Sequence, residues 1–298
     1  MIVNKINPQG FCKGVTLALK KCIEVINNPH TIKPIYLLGM IIHNRLVCED
    51  LEEKGIIILE GTDKLSLLDS ISEGTVIISA HGVSSTVKEK ALAKNLNVVD
   101  TTCPDVKKVH DNVLKYLKEG YKILYIGKKD HPETIGVITE STDIFLIDNY
   151  DVINTLKNDE KYYVTNQTTL AHSQISQYHN EISKKLTNVV FENSVCLATT
   201  KREMALYDIK TELIVIVGDK NSSNTQKLVE VAKNKAQSLD VIHIERANDL
   251  LAYNLTKYKE AYVTSGASTP NEVVDKVIEF LKSDGKDLTI LEESLFFF

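Results

Sequence analysis

Three cysteines recur along this chain at nearly equal intervals, and each lies between a short apolar segment and a longer amphipathic one. They are Cys12, Cys103 and Cys196, and about 90 residues separate each from the next. A second landmark, an apolar segment that ends in glycine and opens into a polar loop, recurs at Gly39, Gly127 and Gly218. We call these two sets the cysteine loops and the glycine loops. Their common period predicts one structural unit repeated three times.

A third landmark completes each repeat, because a strand-like segment there runs into small or polar residues. These closing loops are residues 79–82, 165–168 and 264–268. Short β-branched segments alternate with longer amphipathic ones, which is typical of parallel sheets with helices on both faces. The predicted strands are 1–6, 36–38, 76–78, 123–126, 162–164, 213–217 and 262–264. The clearest predicted helices are 15–26, 106–117 and 228–236.

The expected architecture is an α/β trefoil, in which three similar parallel-sheet units pack around a pseudo-threefold axis. We expect units at 14–103, 104–195 and 196–285, joined by residues 1–13 and the C-terminal segment 286–298. Ligand sites in open parallel sheets form beyond the carboxyl ends of the strands, where all three kinds of loop lie. Packing with these ends inward would bring the three cysteines to one point and line a single cavity with the polar loops.

Composition narrows the functional classes. A net charge of −5 argues against nucleic-acid binding, which needs clustered Lys and Arg. No apolar run reaches the ~20 residues of a membrane helix, so we expect no integral membrane contact. The N-terminus lacks the layout of a signal peptide, and we expect a cytoplasmic protein with reduced thiols.

The cysteine trio favours a metal centre, because a helix N-terminus stabilises the thiolate that binds metal. Three widely separated thiolates suit a cubane iron–sulfur cluster in which one iron has no protein ligand and can act as a Lewis acid. A three-cysteine zinc site with bound water is the alternative, and a hydrolase using Glu133 as base would follow from it. A non-catalytic iron–sulfur sensor is a third interpretation. Cys22 and Cys48 lie outside the repeat and are interpreted as structural.

Polar donors are concentrated on the predicted loops. These candidates are His43, His81, His131, Thr168, Ser222, Ser223, Asn224 and Ser268. Imidazoles, hydroxyls and helix-start amides together suit the oxygens of a diphosphate. The other five histidines are interpreted as surface or satisfied core residues.

Glu133 is the one carboxylate of the His-Pro-Glu segment 131–133. In a desolvated cavity its pKa would rise, and the group could then deliver protons. The competing interpretation is a helix-start glutamate that is favoured by the helix dipole.

These segments together resemble the LytB family of 4-hydroxy-3-methylbut-2-enyl diphosphate reductases. The resemblance covers essentially the whole chain. The matching segments are GFCKGV at 10–15, HNRLV at 43–47, AHGVS at 80–84, DTTCP at 100–104, HPE at 131–133, NQTTL at 166–170, CLATT at 196–200, KNSSN at 220–224 and GAS at 266–268.

The resemblance implies a trefoil around one [4Fe–4S] cluster per chain, with Cys12, Cys103 and Cys196 as ligands and an open iron that binds the substrate hydroxyl. It implies that the loop donors bind the diphosphate, that Glu133 relays protons and that Thr168 orients the hydroxyl. The implied products are isopentenyl and dimethylallyl diphosphate, and the implied electron donor is ferredoxin or flavodoxin. Gln9 and Leu17 depart from the pattern, since the family often has Arg there.

Overall fold

The computed structural model describes residues 1–235 and 239–292. Within these residues, twelve β-strands form three four-stranded sheets in which every neighbouring pair is parallel. The strands are β1 Ile2–Lys5, β2 Ile35–Leu38, β3 Ile56–Leu59, β4 Thr75–Ile78, β5 Asn97–Asp100, β6 Lys122–Ile126, β7 Ile144–Ile147, β8 Tyr162–Asn166, β9 Val189–Phe191, β10 Leu213–Val217, β11 Asp240–Ile244 and β12 Glu260–Ser265. The α/β class and the threefold repeat predicted from the sequence are therefore confirmed.

The strands are linked by helices, as the alternating pattern predicts. The α-helices are α1 Lys13–Asn27, α2 Arg45–Glu53, α3 Lys64–Asp69, α4 Ser85–Ala93, α5 Pro104–Lys118, α6 Pro132–Ile138, α7 Tyr150–Thr155, α8 His172–Lys185, α9 Leu197–Tyr207, α10 Ser223–Lys235, α11 Asn271–Lys282 and α12 Thr289–Glu292. Two 3₁₀ helices lie at Ala247–Ala252 and Leu255–Lys257. None of the helices in the described part of the chain is both long and apolar enough to cross a membrane.

The three sheets repeat one strand order. The orders are β3-β2-β4-β5, β7-β6-β8-β9 and β11-β10-β12-β1. Strand β1 therefore occupies in the third sheet the edge position that β5 and β9 occupy in the other two. Its register pairs Ile2 with Glu260 and Lys5 with Val263. The N-terminal segment, which carries Cys12, thus completes the repeat formed by the C-terminal part of the chain.

All seven strands predicted from the sequence are present. Six of them are the two inner strands of each sheet, where both neighbours and both faces bury apolar side chains. The sequence did not reveal β3, β5, β7, β9 and β11, which are outer strands with several partly exposed positions. Helices α1, α5 and α10 match the predicted ones. Ala236, the predicted end of the third helix, lies outside the described residues, as do residues 293–298 of the expected C-terminal segment.

Within the described residues the chain falls into two compact bodies. The terminal body comprises Met1–Val15, His43–Asp50 and Leu197–Phe298, and the central body comprises Thr16–Ile42 and Leu51–Cys196. The terminal body contains the third sheet, and the central body contains the other two. The boundaries expected for three separate units, at 14–103, 104–195 and 196–285, stay a prediction.

The third sheet shows how each body buries its core. Alternate residues of β10 point to opposite faces, as the period of a strand requires. Val215 and Val217 pack on one face with Val277 of α11. Ile214 packs on the other face with Leu228 of α10. Because both faces are covered, β10 is apolar throughout, and its carboxyl end presents the loop at Gly218.

Candidate active site

The three cysteine loops share one local geometry. In each repeat the cysteine backbone N–H donates a hydrogen bond to a carbonyl of a closing loop. The pairs are Cys12 with Ala267 at 3.0 Å, Cys103 with Ala80 at 3.0 Å, and Cys196 with Thr168 at 2.9 Å. The first pair lies in the terminal body and the other two in the central body. The same backbone hydrogen bond therefore joins a cysteine loop to a closing loop three times.

Each of these cysteines directly precedes a helix. Helices α1, α5 and α9 begin at Lys13, Pro104 and Leu197. All three cysteines are half-buried, whereas Cys22 and Cys48 are fully buried. A half-buried sulfur, unlike a fully buried one, is accessible to a metal. Each of the three positions thus suits a sulfur ligand of a metal, and Cys22 and Cys48 fit the structural interpretation.

The terminal body brings several predicted donors together. The hydroxyl of Ser268 lies 3.0 Å from the backbone carbonyl of His43, to which it donates, and 3.3 Å from the Oγ of Ser222. Ser223 and Asn224, in the first turn of α10, are buried as well. Hydroxyls and backbone N–H groups at a helix start form a donor set that suits an anion.

Asn224 has both ends of its side chain engaged. Its Oδ1 accepts from the backbone N–H of Ala267 at 3.1 Å, and its Nδ2 donates to Oγ1 of Thr199 at 2.9 Å. Thr199 lies in α9, the helix that follows Cys196. Asn224 therefore links α10, the closing loop and α9, and it has a positioning role within the terminal body.

Glu133 lies in the central body and is 1% exposed. Its Oε1 accepts from the backbone N–H of Thr168 at 2.7 Å, and its Oε2 accepts from the hydroxyl of Thr168 at 3.1 Å. Burial raises the pKa of Glu133 to about 7, although hydrogen bonds from Thr168 and Tyr125 oppose the shift. The pKa rise expected from the sequence is confirmed. Such a carboxyl holds a proton near neutral pH and can release it.

His131 is the N-cap of α6, and its Nδ1 accepts from the backbone N–H of Glu133 at 3.2 Å. A neutral imidazole that accepts at Nδ1 carries its proton on Nε2, so the outer edge of the ring is a donor. The ring of His81 meets that of His131 edge-on, with centroids 5.5 Å apart. The central body thus groups His81, His131, Glu133 and Thr168.

Three further residues contribute to the site that are not among the candidates predicted from the sequence. The hydroxyl of Tyr125 lies 3.4 Å from Oε1 of Glu133. In the sequence, Tyr125 looks like one more apolar residue of a core strand. Asn44 donates to the carbonyl of Ser268 at 2.9 Å. Arg202, which is buried in α9, donates to the carbonyl of Gly10 at 2.6 Å and so braces the loop before Cys12. Only contacts distant in sequence identify these roles.

Gln9 and Leu17, at which the sequence departs from the family pattern, lie in different surroundings. The side-chain amide of Gln9 donates to the carbonyl of Val263 at 2.6 Å, which ties the N-terminal segment to β12. Leu17 is 41% exposed on α1. Gln9 therefore has a structural contact of its own, while Leu17 presents an apolar group where a charge is common.

The chain is similar to known proteins over nearly its whole length. The family model described as LytB protein matches residues 3–282. A 4-hydroxy-3-methylbut-2-enyl diphosphate reductase of Symbiobacterium thermophilum is 39% identical over 95% of this chain and 97% of its own length. A protein of the same name from Brevibacillus brevis is 40% identical over 95% of this chain and 92% of its own length.

Solved structures agree with these relatives. The reductase of Plasmodium falciparum that is named for (E)-1-hydroxy-2-methylbut-2-enyl 4-diphosphate superposes with a TM-score of 0.85, at 33% identity, over 94% of this chain and 88% of that one. A second structure, described as the terminal enzyme of the non-mevalonate pathway, gives a TM-score of 0.69 at 29% identity, over 95% of this chain and all of that one.

Proposed function

Because the chain belongs to the LytB protein family, we propose that it is a reductase of 4-hydroxy-3-methylbut-2-enyl diphosphate and forms isopentenyl and dimethylallyl diphosphate. The reaction takes up two electrons and two protons, breaks the allylic C–O bond, forms a C–H bond and releases water. The observation that carries the proposal is the threefold cysteine geometry, in which equivalent thiols precede equivalent helices.

LytB proteins are iron–sulfur proteins, and the donor set of this chain fits one. Cys12, Cys103 and Cys196 would hold one [4Fe–4S] cluster and leave one iron without a protein ligand. When bound, such a cluster supplies single electrons and a Lewis-acidic iron for the departing hydroxyl. The electrons would come from ferredoxin or flavodoxin, which transfer them singly.

The rival zinc hydrolase and the non-catalytic sensor are distinguished by two measurements. Protein purified without oxygen should be brown, with iron and acid-labile sulfide in equal amounts, and should convert the diphosphate when a reduced one-electron donor is added. A colourless protein with stoichiometric zinc would favour the hydrolase. A brown protein that binds no substrate and forms neither isopentenyl nor dimethylallyl diphosphate would favour the sensor.

The substrate's diphosphate is assigned to the donors of the loops. These donors are His43, His81, His131, Ser222, Ser223, Asn224 and Ser268. These donors are neutral hydroxyl and amide groups or imidazoles, and hydrogen bonds already hold some of them in place, such as those of Asn224 to Ala267 and Thr199. Preorganised donors lose little freedom when they meet an anion, which increases their contribution to binding.

Replacing Ser222 by alanine should weaken binding of the substrate, because one donor to a charged oxygen is lost. The expected cost is about 1.5–3 kcal/mol, which is roughly a 10- to 150-fold rise in Kd. The same fold-change should appear in binding of inorganic pyrophosphate, measured by calorimetry under nitrogen. Ser183→Ala, at an exposed position of α8, is the matched control. Unchanged pyrophosphate affinity in Ser222→Ala would remove this serine from the site.

Glu133 is assigned as the proton donor and Thr168 as the hydroxyl that holds both the carboxyl and the substrate hydroxyl in place. The pKa of Glu133 lies at about 7, above its ordinary value, so the acid form is present below that pH and is lost above it. We therefore expect kcat to fall as the pH rises through about 7. The profile is measured with excess reduced donor at each pH. A rate that rises over this interval would contradict the assignment.

A further inference from the structure

Three elements of the central body meet at Gly82, next to His81. The backbone of Gly82 is left-handed, with φ +75°, and a Cβ there would lie 3.1 Å from Nε2 of His110 and 3.1 Å from Cγ2 of Thr102. A Cβ on Gly136 of α6 would lie 3.4 Å from the carbonyl oxygen of Gly82. The closing loop 79–82 is thus packed directly between α5, which follows Cys103, and α6, which carries Glu133.

The carboxylate of Glu140 connects the elements at this junction. Glu140, two residues after the end of α6, accepts from the backbone N–H of Ser85 at 2.8 Å and from the hydroxyl of Ser85 at 2.5 Å. Ser85 is the first residue of α4, and its N-cap Ser84 makes no side-chain capping bond. Glu140 therefore supplies from a distant part of the sequence the capping contact that a helix normally finds in its own N-cap.

His110 stands on the other side of this carboxylate. Its Nδ1 lies 3.5 Å from Oε1 of Glu140, and the Glu140 side chain is 2% exposed. Burial by itself would raise the pKa of Glu140, but hydrogen bonds from His110 and Ser85 outweigh it and hold that pKa below its ordinary value. A buried carboxylate with three donor contacts is costly to disturb, because losing one partner leaves charge uncompensated.

We propose that Glu140 and His110 form a buried clamp that fixes the closing loop 79–82 to helix α6, so that His81 is held in register with His131 and Glu133. Both are positioning residues that act through the His81 loop. The inference rests on the proposed role of His81 in diphosphate binding. The junction has this positioning role because Glu140 connects α4 to α6 and the ring of His110 packs against Gly82.

A double-mutant cycle between Glu140 and His81 tests the clamp. Pyrophosphate and substrate affinities of the cluster-loaded protein are measured by calorimetry under nitrogen for wild type, Glu140→Ala, His81→Ala and the double variant. We expect Glu140→Ala to weaken both affinities about tenfold in the wild-type background and about twofold or less when His81 is absent, because coupled residues are not additive. Glu89→Ala is the control, because Glu89 lies at an exposed position of α4, the helix that Glu140 caps. It should change neither the pyrophosphate affinity nor the substrate affinity.

Two milder variants keep the test valid if Glu140→Ala folds poorly. Glu140→Gln keeps an oxygen that can accept from the Ser85 N–H, and Ser85→Ala removes one of the two bonds; both should weaken pyrophosphate binding less than tenfold and in a His81-dependent way. A lowered Tm with unchanged affinity, or equal losses in both backgrounds, overturns the clamp. Wild-type affinity in His81→Ala instead overturns the diphosphate role of His81, and failure of wild type to bind substrate overturns the proposed function.

Discussion

Replacing Cys103 by serine is expected to abolish stable cluster binding and, with it, all measurable turnover. Cys103 is the N-cap of α5, and its backbone N–H is bound to Ala80 as those of Cys12 and Cys196 are bound to their own closing loops. Serine fits that space, but its hydroxyl stays protonated where a thiolate is needed for iron. The measurement is iron and acid-labile sulfide per chain after anaerobic reconstitution, together with the visible absorption spectrum.

The remaining cysteines provide the comparison for this result. Cys12→Ser and Cys196→Ser should behave as Cys103→Ser does, since the repeat makes the three positions equivalent. Cys22→Ser is the matched control, because that residue lies outside the repeat and is fully buried. It should keep the iron content of the wild type. Full iron content and turnover in Cys103→Ser would contradict the assignment of this cysteine as a ligand.

Replacing Glu133 by glutamine should lower turnover by about 10²- to 10⁴-fold, the range that a positioned general acid contributes. Hydroxide is a poor leaving group, so the departing oxygen needs a proton. A second proton must reach a carbon of the allylic fragment to complete the product. Glutamine keeps the shape of Glu133 and can accept from the Thr168 N–H through its oxygen. It cannot relay a proton. The cluster and the substrate affinity should therefore stay close to those of the wild type.

The rate of Glu133→Gln is best measured in a single turnover with excess artificial one-electron donor, which removes any effect of donor docking. Glu181→Gln, on the surface-facing part of α8, is a suitable control because its carboxylate pairs with exposed Lys184. A single-turnover rate near that of the wild type in Glu133→Gln would show that the proton comes from another group, such as the substrate's own diphosphate.

The repeat made much of this fold predictable. Buried inner strands such as β4 and β10 carry continuous apolar runs, and the polar loops at their carboxyl ends are conspicuous by contrast. Apart from β1, the outer strands were not predicted. β9, for example, spans only Val189–Phe191, and none of its residues is fully buried. Its sequence therefore differs little from that of a loop. That β1 completes the third sheet was equally hidden, because the pairing joins opposite ends of the chain.

The candidate site divides in the same way. Residue types in loops indicated Glu133, Thr168 and the histidines, because ligands bind at the carboxyl ends of parallel strands, where these loops lie. Tyr125 and Glu140 were missed for a physical reason: their roles depend on partners that only tertiary packing supplies. Tyr125 alternates correctly for a strand core, and Glu140 follows a short helix as many exposed glutamates do. Direct contacts with Glu133 and Ser85 distinguish them.

The central claim is that this chain reduces its diphosphate substrate with electrons, and electron stoichiometry tests it most directly. Anaerobic, cluster-loaded protein is mixed with a limiting, known amount of reduced one-electron donor and excess 4-hydroxy-3-methylbut-2-enyl diphosphate, and donor oxidation and products are counted in the same sample. Two donor molecules should be oxidised for each molecule of isopentenyl or dimethylallyl diphosphate formed. Consumption of substrate without donor oxidation, or with release of inorganic phosphate, would contradict it.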